Sequence, residues 1–358
     1  MSISLPPPSL PPEGEHLENA IELKEVEGLS QGQIVFRRFI RHKGAITGSI
    51  VLGFVVLVAI TSIGWGPIPG WWRWNYTQTA TVLNPGGRPT LSLGGANGWH
   101  LGDYPFGQDE IGRDMFARTM RGIQQSLTVM VIIGLLSTAI GLTIGAIAGF
   151  FRGRIDNLLM RLTDVFIVIP ILVTGAVLGK LVGGVGAIAL ALGLGLLSWT
   201  GMARLVRGDF LALREREFVD AARVAGASSA RIILKHMVPN AMGVIIVNTT
   251  LLMSAAILLE TALSYLGFGI SPPDISLGNL IEQYQGAFTT RPWLFWWPGM
   301  FIVTIALCVN FIGDGLRDAF DPRQRRIPTA RALRRTDKAA ARMAARAASV
   351  GRIEEPGA

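Results

Sequence analysis

The chain has 358 residues, is 50% hydrophobic with a mean hydropathy of +0.42, and carries charge on only 16% of its positions. An ordinary soluble domain carries about 25% charged residues, so composition argues against a water-soluble fold. The formal net charge of +8, from 33 Lys and Arg against 25 Asp and Glu, is explained by where those charges fall along the chain and needs no nucleic acid as partner.

Residues 1–33 contain Pro6, Pro7, Pro8, Pro11 and Pro12, which cannot sit inside a helix. They read as a disordered cytoplasmic tail with no apolar signal segment. Arg37, Arg38, Arg41 and Lys43 then anchor the first apolar run. Uncharged runs at 45–65, 126–151, 181–203, 241–259 and 292–312 each approach the ~20 residues that a bilayer requires. A further run at 158–179 has Arg161 and Asp164 only near its start. The expected fold is an all-α integral membrane protein with six transmembrane helices, at about 45–65, 126–151, 158–179, 181–203, 241–260 and 292–313, inside a transmembrane domain at 34–323.

With the N-terminus in the cytoplasm, only Arg73, Arg88, Arg113, Arg118, Arg121, Lys180 and Arg291 among the basic residues fall outside. That bias places both termini inside, and the basic surface there can attract anionic membrane lipid. The external loop 66–122 begins with a Trp-rich part: Trp65, Trp71, Trp72, Trp74 and Trp99 form an interfacial belt or a contact surface for an external partner. In the second span, Gly134, Thr138, Gly141, Gly145 and Gly149 share a face and allow close helix packing. The basic tail 324–358 reads as a cytoplasmic surface helix or as disordered.

Catalytic patterns are missing. Gly175-Ala-Val-Leu-Gly179-Lys180 imitates a phosphate loop but is one residue short between its glycines and has Leu181 where Ser or Thr is required. His16, His42, His100 and His236 are scattered, and Cys308 is the only cysteine, so no metal site is expected. Asp164 and Glu260 are acids inside apolar runs and candidates for function by default. Asp164 is expected to pair with Arg161 at i,i+3, and Glu260, near an external helix end, to pair with a neighbour or to handle a proton or substrate.

The cytoplasmic stretch 204–240 is expected to form a short helix, a turn and a second helix, with Pro239 re-entering the membrane. Glu217 to Ala225 suits a helix, Asp220 and Arg223 can pair, Gly226 stops it, and Ser228 or Ser229 can cap the next. This segment resembles the EAA loop of ABC importer permeases, patterned Glu-Ala-Ala, three residues, Gly, twelve residues, Pro. Asp220-Ala221-Ala222, Gly226 and Pro239 occupy those positions, with Asp replacing the first Glu. Residues 106–114, holding Gly107, Asp109, Glu110, Gly112, Arg113 and Asp114, look like an external signature of the dipeptide/oligopeptide/nickel permease group, C-type subunit. Residues 258–269, Pro272, Pro273, Gly278, Asn279 and 313–323 are similar to the same group. The resemblance spans about residues 35–323; both tails and the Trp-rich part at 66–100 depart from it.

The resemblance implies a type I ABC importer permease in the bacterial plasma membrane that is not itself an enzyme. Glu217, Asp220, Ala221, Ala222, Gly226, Ala227, Arg231, His236 and Pro239 would form the segment that docks on an ATPase. No cofactor is expected on this chain; ATP and Mg²⁺ would sit on partner ATPase subunits. Expected partners are a homologous permease, two ATPase domains, an external substrate-binding protein and a peptide cargo. A permease for nickel chelates or oligosaccharides remains open, as does a membrane-anchored interaction or sensing protein.

Overall fold

The computed structural model describes residues 31–93, 98–182 and 186–320. The tails expected before residue 31 and after 320, part of the turn near 180–186 and the end of the 313–323 motif lie outside the described residues. The chain is helical throughout its apolar runs, with two small antiparallel strand pairs, β1 (Gly64–Trp65) with β2 (Ile68–Pro69) and β3 (Ser92–Leu93) with β4 (Trp99–His100).

An amphipathic helix α1 (Gln31–Arg41) begins inside the stretch expected to be disordered and lies against the last helix. His42 then caps α2 (Lys43–Ile63), its Nδ1 accepting from the Ala45 N–H at 3.0 Å. The next helix, α3 (Met115–Phe151), starts well ahead of residue 126 because Asp114 caps it there. In its first turns, Gln124 donates to the carbonyls of Ala59 (2.7 Å) and Gly64 (2.9 Å) at the end of α2, where helical carbonyls lack partners.

The third and fourth spans are broken rather than continuous. α4 (Gly153–Val168) and α5 (Ile171–Val182) meet at 77°, and α6 (Ala187–Gly195) and α7 (Thr200–Leu213) at 40°. Pro170 causes the first break: it has no N–H to donate, and it drives Ile169 into an extended conformation (φ −81°, ψ 118°). Hydropathy alone makes these runs look uniform, so the sequence reading passed over the proline.

After a short cytoplasmic helix α8 (Glu217–Val224), the chain runs as one helix, α9 (Ser229–Tyr265), into the fifth span. Pro239 therefore does not mark a separate re-entry. A π-helical turn at Ile232–Met237 precedes it, and the wider turn accommodates a residue with no N–H. Outside the membrane, α10 (Leu277–Tyr284) is wedged between α3, α9 and the last helix, α11 (Trp293–Phe320).

α3 is the central helix, packed on α2, α6, α7 and α9. The glycine stripe explains how. A Cβ at Gly141 would lie 2.6 Å from the Met202 Cβ, one at Gly145 2.5 Å from the Ala203 carbonyl oxygen, and one at Gly149 2.6 Å from the Phe210 Cβ. The stripe is the seat of α7. Gly134 and Thr138 belong to a different contact: they meet Met253 and Thr249 of α9, the two threonine hydroxyls 3.0 Å apart. Phe54, Val168 and Leu181 remain exposed on the outer surface of the bundle, as expected of faces turned to lipid or to another membrane helix.

Candidate functional site

On the cytoplasmic side, α8 and the start of α9 form a hairpin built from its caps. Gly226 adopts φ +79°, its N–H donates to the Arg223 carbonyl, and the Ala227 N–H reaches the Ala222 carbonyl, both at 3.0 Å. This is the two-bond helix stop that requires a left-handed residue. No atom lies within 4 Å of where a Gly226 Cβ would be, so the glycine is there for its backbone conformation and not for space. Ser228 caps α9 by accepting from the Arg231 N–H.

The hairpin has an inner and an outer face. Val219 is fully buried in a cluster with Phe210, Ile232 and Met237, and Ala222 and Ala227 pack against it. Glu217, Asp220, Ala221, Arg231 and Pro239 are exposed, as is Val224 at 91%. Asp220 pairs with Arg223 at 2.9 Å on this outer face. His236 is half-buried, and its carbonyl accepts from the Asn240 side chain at 2.6 Å.

Arginines fix the hairpin's base to the bundle. Arg207 makes a two-pronged pair with the buried Asp156 of α4 (2.5 and 2.7 Å), Arg214 donates to the Phe150 carbonyl at the end of α3, and Arg152 pairs with Glu215. Asp164 takes Arg204 of α7 as its partner at 2.5 Å, not Arg161. The partner comes from a packed helix rather than from the preceding turn, forty residues off in sequence.

The external motif folds into a closed loop. Asp109, almost fully buried, accepts from the N–H groups of Ile111 (3.1 Å) and Arg113 (2.8 Å), from Arg113 Nε (2.6 Å) and from the Tyr284 hydroxyl (2.9 Å) of α10. Burial pushes the Tyr284 phenol up from its ordinary value. Gly107 and Gly112 take positive φ, and a Cβ on Gly112 would collide with the Ala80 carbonyl. Asp114 accepts from the N–H groups of Phe116 and Ala117 and from Trp72 Nε1 at 2.6 Å. Burial raises its carboxyl to about 6 despite those donors. Glu110 is exposed. Within the Trp-rich part, Trp72 is tied to Asp114, Trp74 stacks on Tyr104, and Trp65 and Trp71 stay exposed.

Glu260 is fully buried between these ends and belongs to neither cluster. Its carboxylate accepts from Ser126 of α3 (3.0 Å) and from Ser264 (2.7 Å). Ser264 in turn accepts from Ser276 (3.0 Å), while the N–H groups of Asn279 and Leu277 donate to Ser276 and Ser126. Every hydroxyl thus points toward the carboxylate, relaying the amides that open α10. Of these serines only Ser264 falls in a stretch that the sequence resemblance marked, and nothing in the sequence pairs it with Ser126 or Ser276. Among the described residues no three His, Cys, Asp or Glu side chains come together to hold a metal.

A family model described as the binding-protein-dependent transport system inner membrane component matches residues 141–326, and one for the N-terminal transmembrane domain of oligopeptide transport permease C matches 30–83. The chain belongs to the binding-protein-dependent transport inner-membrane components. This permease is 37% identical over 300 residues to the oligopeptide transport system permease protein OppC of Mycobacterium tuberculosis strain H37Rv, covering 84% of this chain and 97% of the relative. The OppC proteins of Haemophilus influenzae (36% over 312 residues; 87% and 94% covered) and Bacillus subtilis (35% over 300 residues; 84% and 92%) are similar to the same extent. A chain of the inward-facing MetNI methionine ABC transporter superposes with a TM-score of 0.48 at 19% identity, covering 58% of this chain and 98% of that one. Its family and its long apolar helices make the permease a multi-pass protein of the bacterial plasma membrane. ATP hydrolysis belongs to separate subunits, and a permease of this family works with a second permease, ATPases and a substrate-binding protein.

Proposed function

We propose that this permease imports peptides, forming the path together with a homologous permease and taking its energy from two ATPase domains that bind ATP and Mg²⁺. An external binding protein delivers the cargo. The peptide reading is supported by the relatives named for oligopeptide transport. The observation that carries the energy-coupling reading is the cytoplasmic hairpin: a rigidly capped turn whose inner face is locked on α7 and α9 and whose outer face, with Ala221, Val224 and the Asp220–Arg223 pair, is left exposed by the described residues. Docked on an ATPase, residues 217–237 make different contacts as its domains open and close. That differential contact is what allows a binding event there to shift the equilibrium between outward- and inward-facing forms. The test is Ala221→Trp, which adds bulk on the exposed face without disturbing the buried cluster. The variant inserts into the membrane but loses its ATPases on purification and loses uptake. A variant that retains both would overturn the assignment.

A further inference from the structure

The two helix breaks face the same cavity. It has a volume of about 480 Å³ and is bounded by Ile169 and Pro170 at the α4–α5 break, by Leu197 and Ser198 at the α6–α7 break, and by residues of α3 and α9. That volume falls within the roughly 300–1,000 Å³ of small-molecule sites.

The breaks leave main-chain polar groups at membrane depth. The last carbonyls of α4 and the first amides of α5 and α7 have no partners within their own helices. At the first break, the amides of Val173 and Thr174 turn back to the Pro170 carbonyl, which also accepts from the Thr174 hydroxyl; those of Ile171 and Leu172 make no such bond. At the second, the Leu194 carbonyl accepts from the amides of Leu197 and Ser198 and from the Ser198 hydroxyl. Hydrocarbon offers such groups nothing, and irregular backbone in a membrane persists only when buried in protein or lining a wet path. A lipid chain is therefore the wrong occupant.

The rest of the wall is apolar, with Phe166 and Leu252 among its residues, and carries hydroxyls from Thr174, Ser198 and Thr200 but no ionisable side chain. The acids adjoining these helices are engaged elsewhere: Asp164 pairs with Arg204, and Glu260, which follows the lining residue Leu259, accepts from Ser126 and Ser264. Such a wall can satisfy amide N–H and carbonyl groups through backbone and hydroxyls, and it tolerates many side chains because no charge selects among them. Resting on the peptide-cargo reading above, we propose that this cavity is a station on the import path that holds an extended peptide by its main chain.

The test uses the full complex, with both permeases and the ATPases, in proteoliposomes supplied with binding protein. The chain has a single cysteine, so Cys308→Ser gives a background in which Thr200→Cys is the only thiol of this subunit. A charged, membrane-impermeant methanethiosulfonate should modify Thr200→Cys, read by the mass of this chain, and a transported tripeptide should slow that modification. Leu252→Glu should in addition shift the uptake ratio of lysine- over aspartate-containing tripeptides by roughly tenfold, which needs only about 1.4 kcal/mol of differential charge interaction with the new carboxylate. No modification, or modification that peptide leaves unchanged, overturns the proposal. So does a Leu252→Glu complex that transports neutral tripeptides with an unaltered charge preference. A wild-type complex that carries no tri- to pentapeptide overturns the cargo reading and the occupant proposed here, while Thr200→Cys still decides whether the cavity is wet.

Discussion

Gly226 and Gly112 both hold positive φ, but for different reasons, and substitutions separate them. Around Gly226 there is open space, so only conformation penalises a side chain, by about 1–2 kcal/mol for a β-carbon in the left-handed region. Asparagine tolerates that region. Gly226→Asn should retain most ATP-driven uptake in proteoliposomes and Gly226→Val should lose most of it; equal loss in both would mean that the site cannot accept any side chain. At Gly112 the Ala80 carbonyl leaves no room, and Gly112→Asn should fail as badly as Gly112→Val. Asp114 adds a pH dependence. Its folded-state value of about 6 lies above the ordinary 3.8, so the folded protein binds more protons between those values. This group's contribution to stability therefore declines as pH rises from about 4 through 6. Melting of the detergent-solubilised complex at pH 5 and pH 7 should show that increment at pH 5, and Asp114→Asn should remove it.

Among the elements, those whose signals lie within a few residues were the most legible. The Asp220–Arg223 pair, the Gly226 stop and the Ser228 cap each depend on neighbours three to five positions away, and the hairpin could be read from them. Asp164 could not be paired correctly, because Arg204 and Arg161 look equally suitable until α4 and α7 are packed together. Pro170 was visible but had no weight in a reading based on hydropathy runs, and of the serines around Glu260 only Ser264 lies in a marked stretch, with its partners Ser126 and Ser276 legible only in the fold. The glycine stripe announced a close helix contact without naming the partner, and α7 supplies it. Gly145→Leu should therefore separate α3 from α7. Overpacking typically costs about 1–3 kcal/mol, and more where a backbone carbonyl is the obstacle. A lowered melting temperature with loss of uptake is expected; an unchanged melting temperature would contradict the contact.

At the level of the whole molecule, the hairpin and the external loop lie at opposite ends of a bundle spanned by α3 and, at equal length, by α9. Near its outer end, Glu260 binds α9 to α3 and, through serines, to the start of α10. Each such hydrogen bond contributes about 0.5–1.5 kcal/mol, and removing one partner leaves buried hydroxyls unsatisfied, so Glu260→Ala should loosen α10 and speed hydrogen exchange of its amides while leaving those of α8 unchanged. Faster exchange at both ends would indicate general unfolding instead. The π-helical turn at Ile232–Met237 stores one residue more than the α turn it replaces while completing the same single revolution. Removing the exposed Leu234 would let that turn close to an ordinary α turn and leave Glu260 facing Ser126. Each residue of an α-helix advances about 100° around its axis, so removing Val244 from the α-helical part instead would swing everything beyond it by about a quarter of a revolution and turn Glu260 away. The π turn is the slack link of this shaft: the one place where its residue count can change without its two ends losing their alignment.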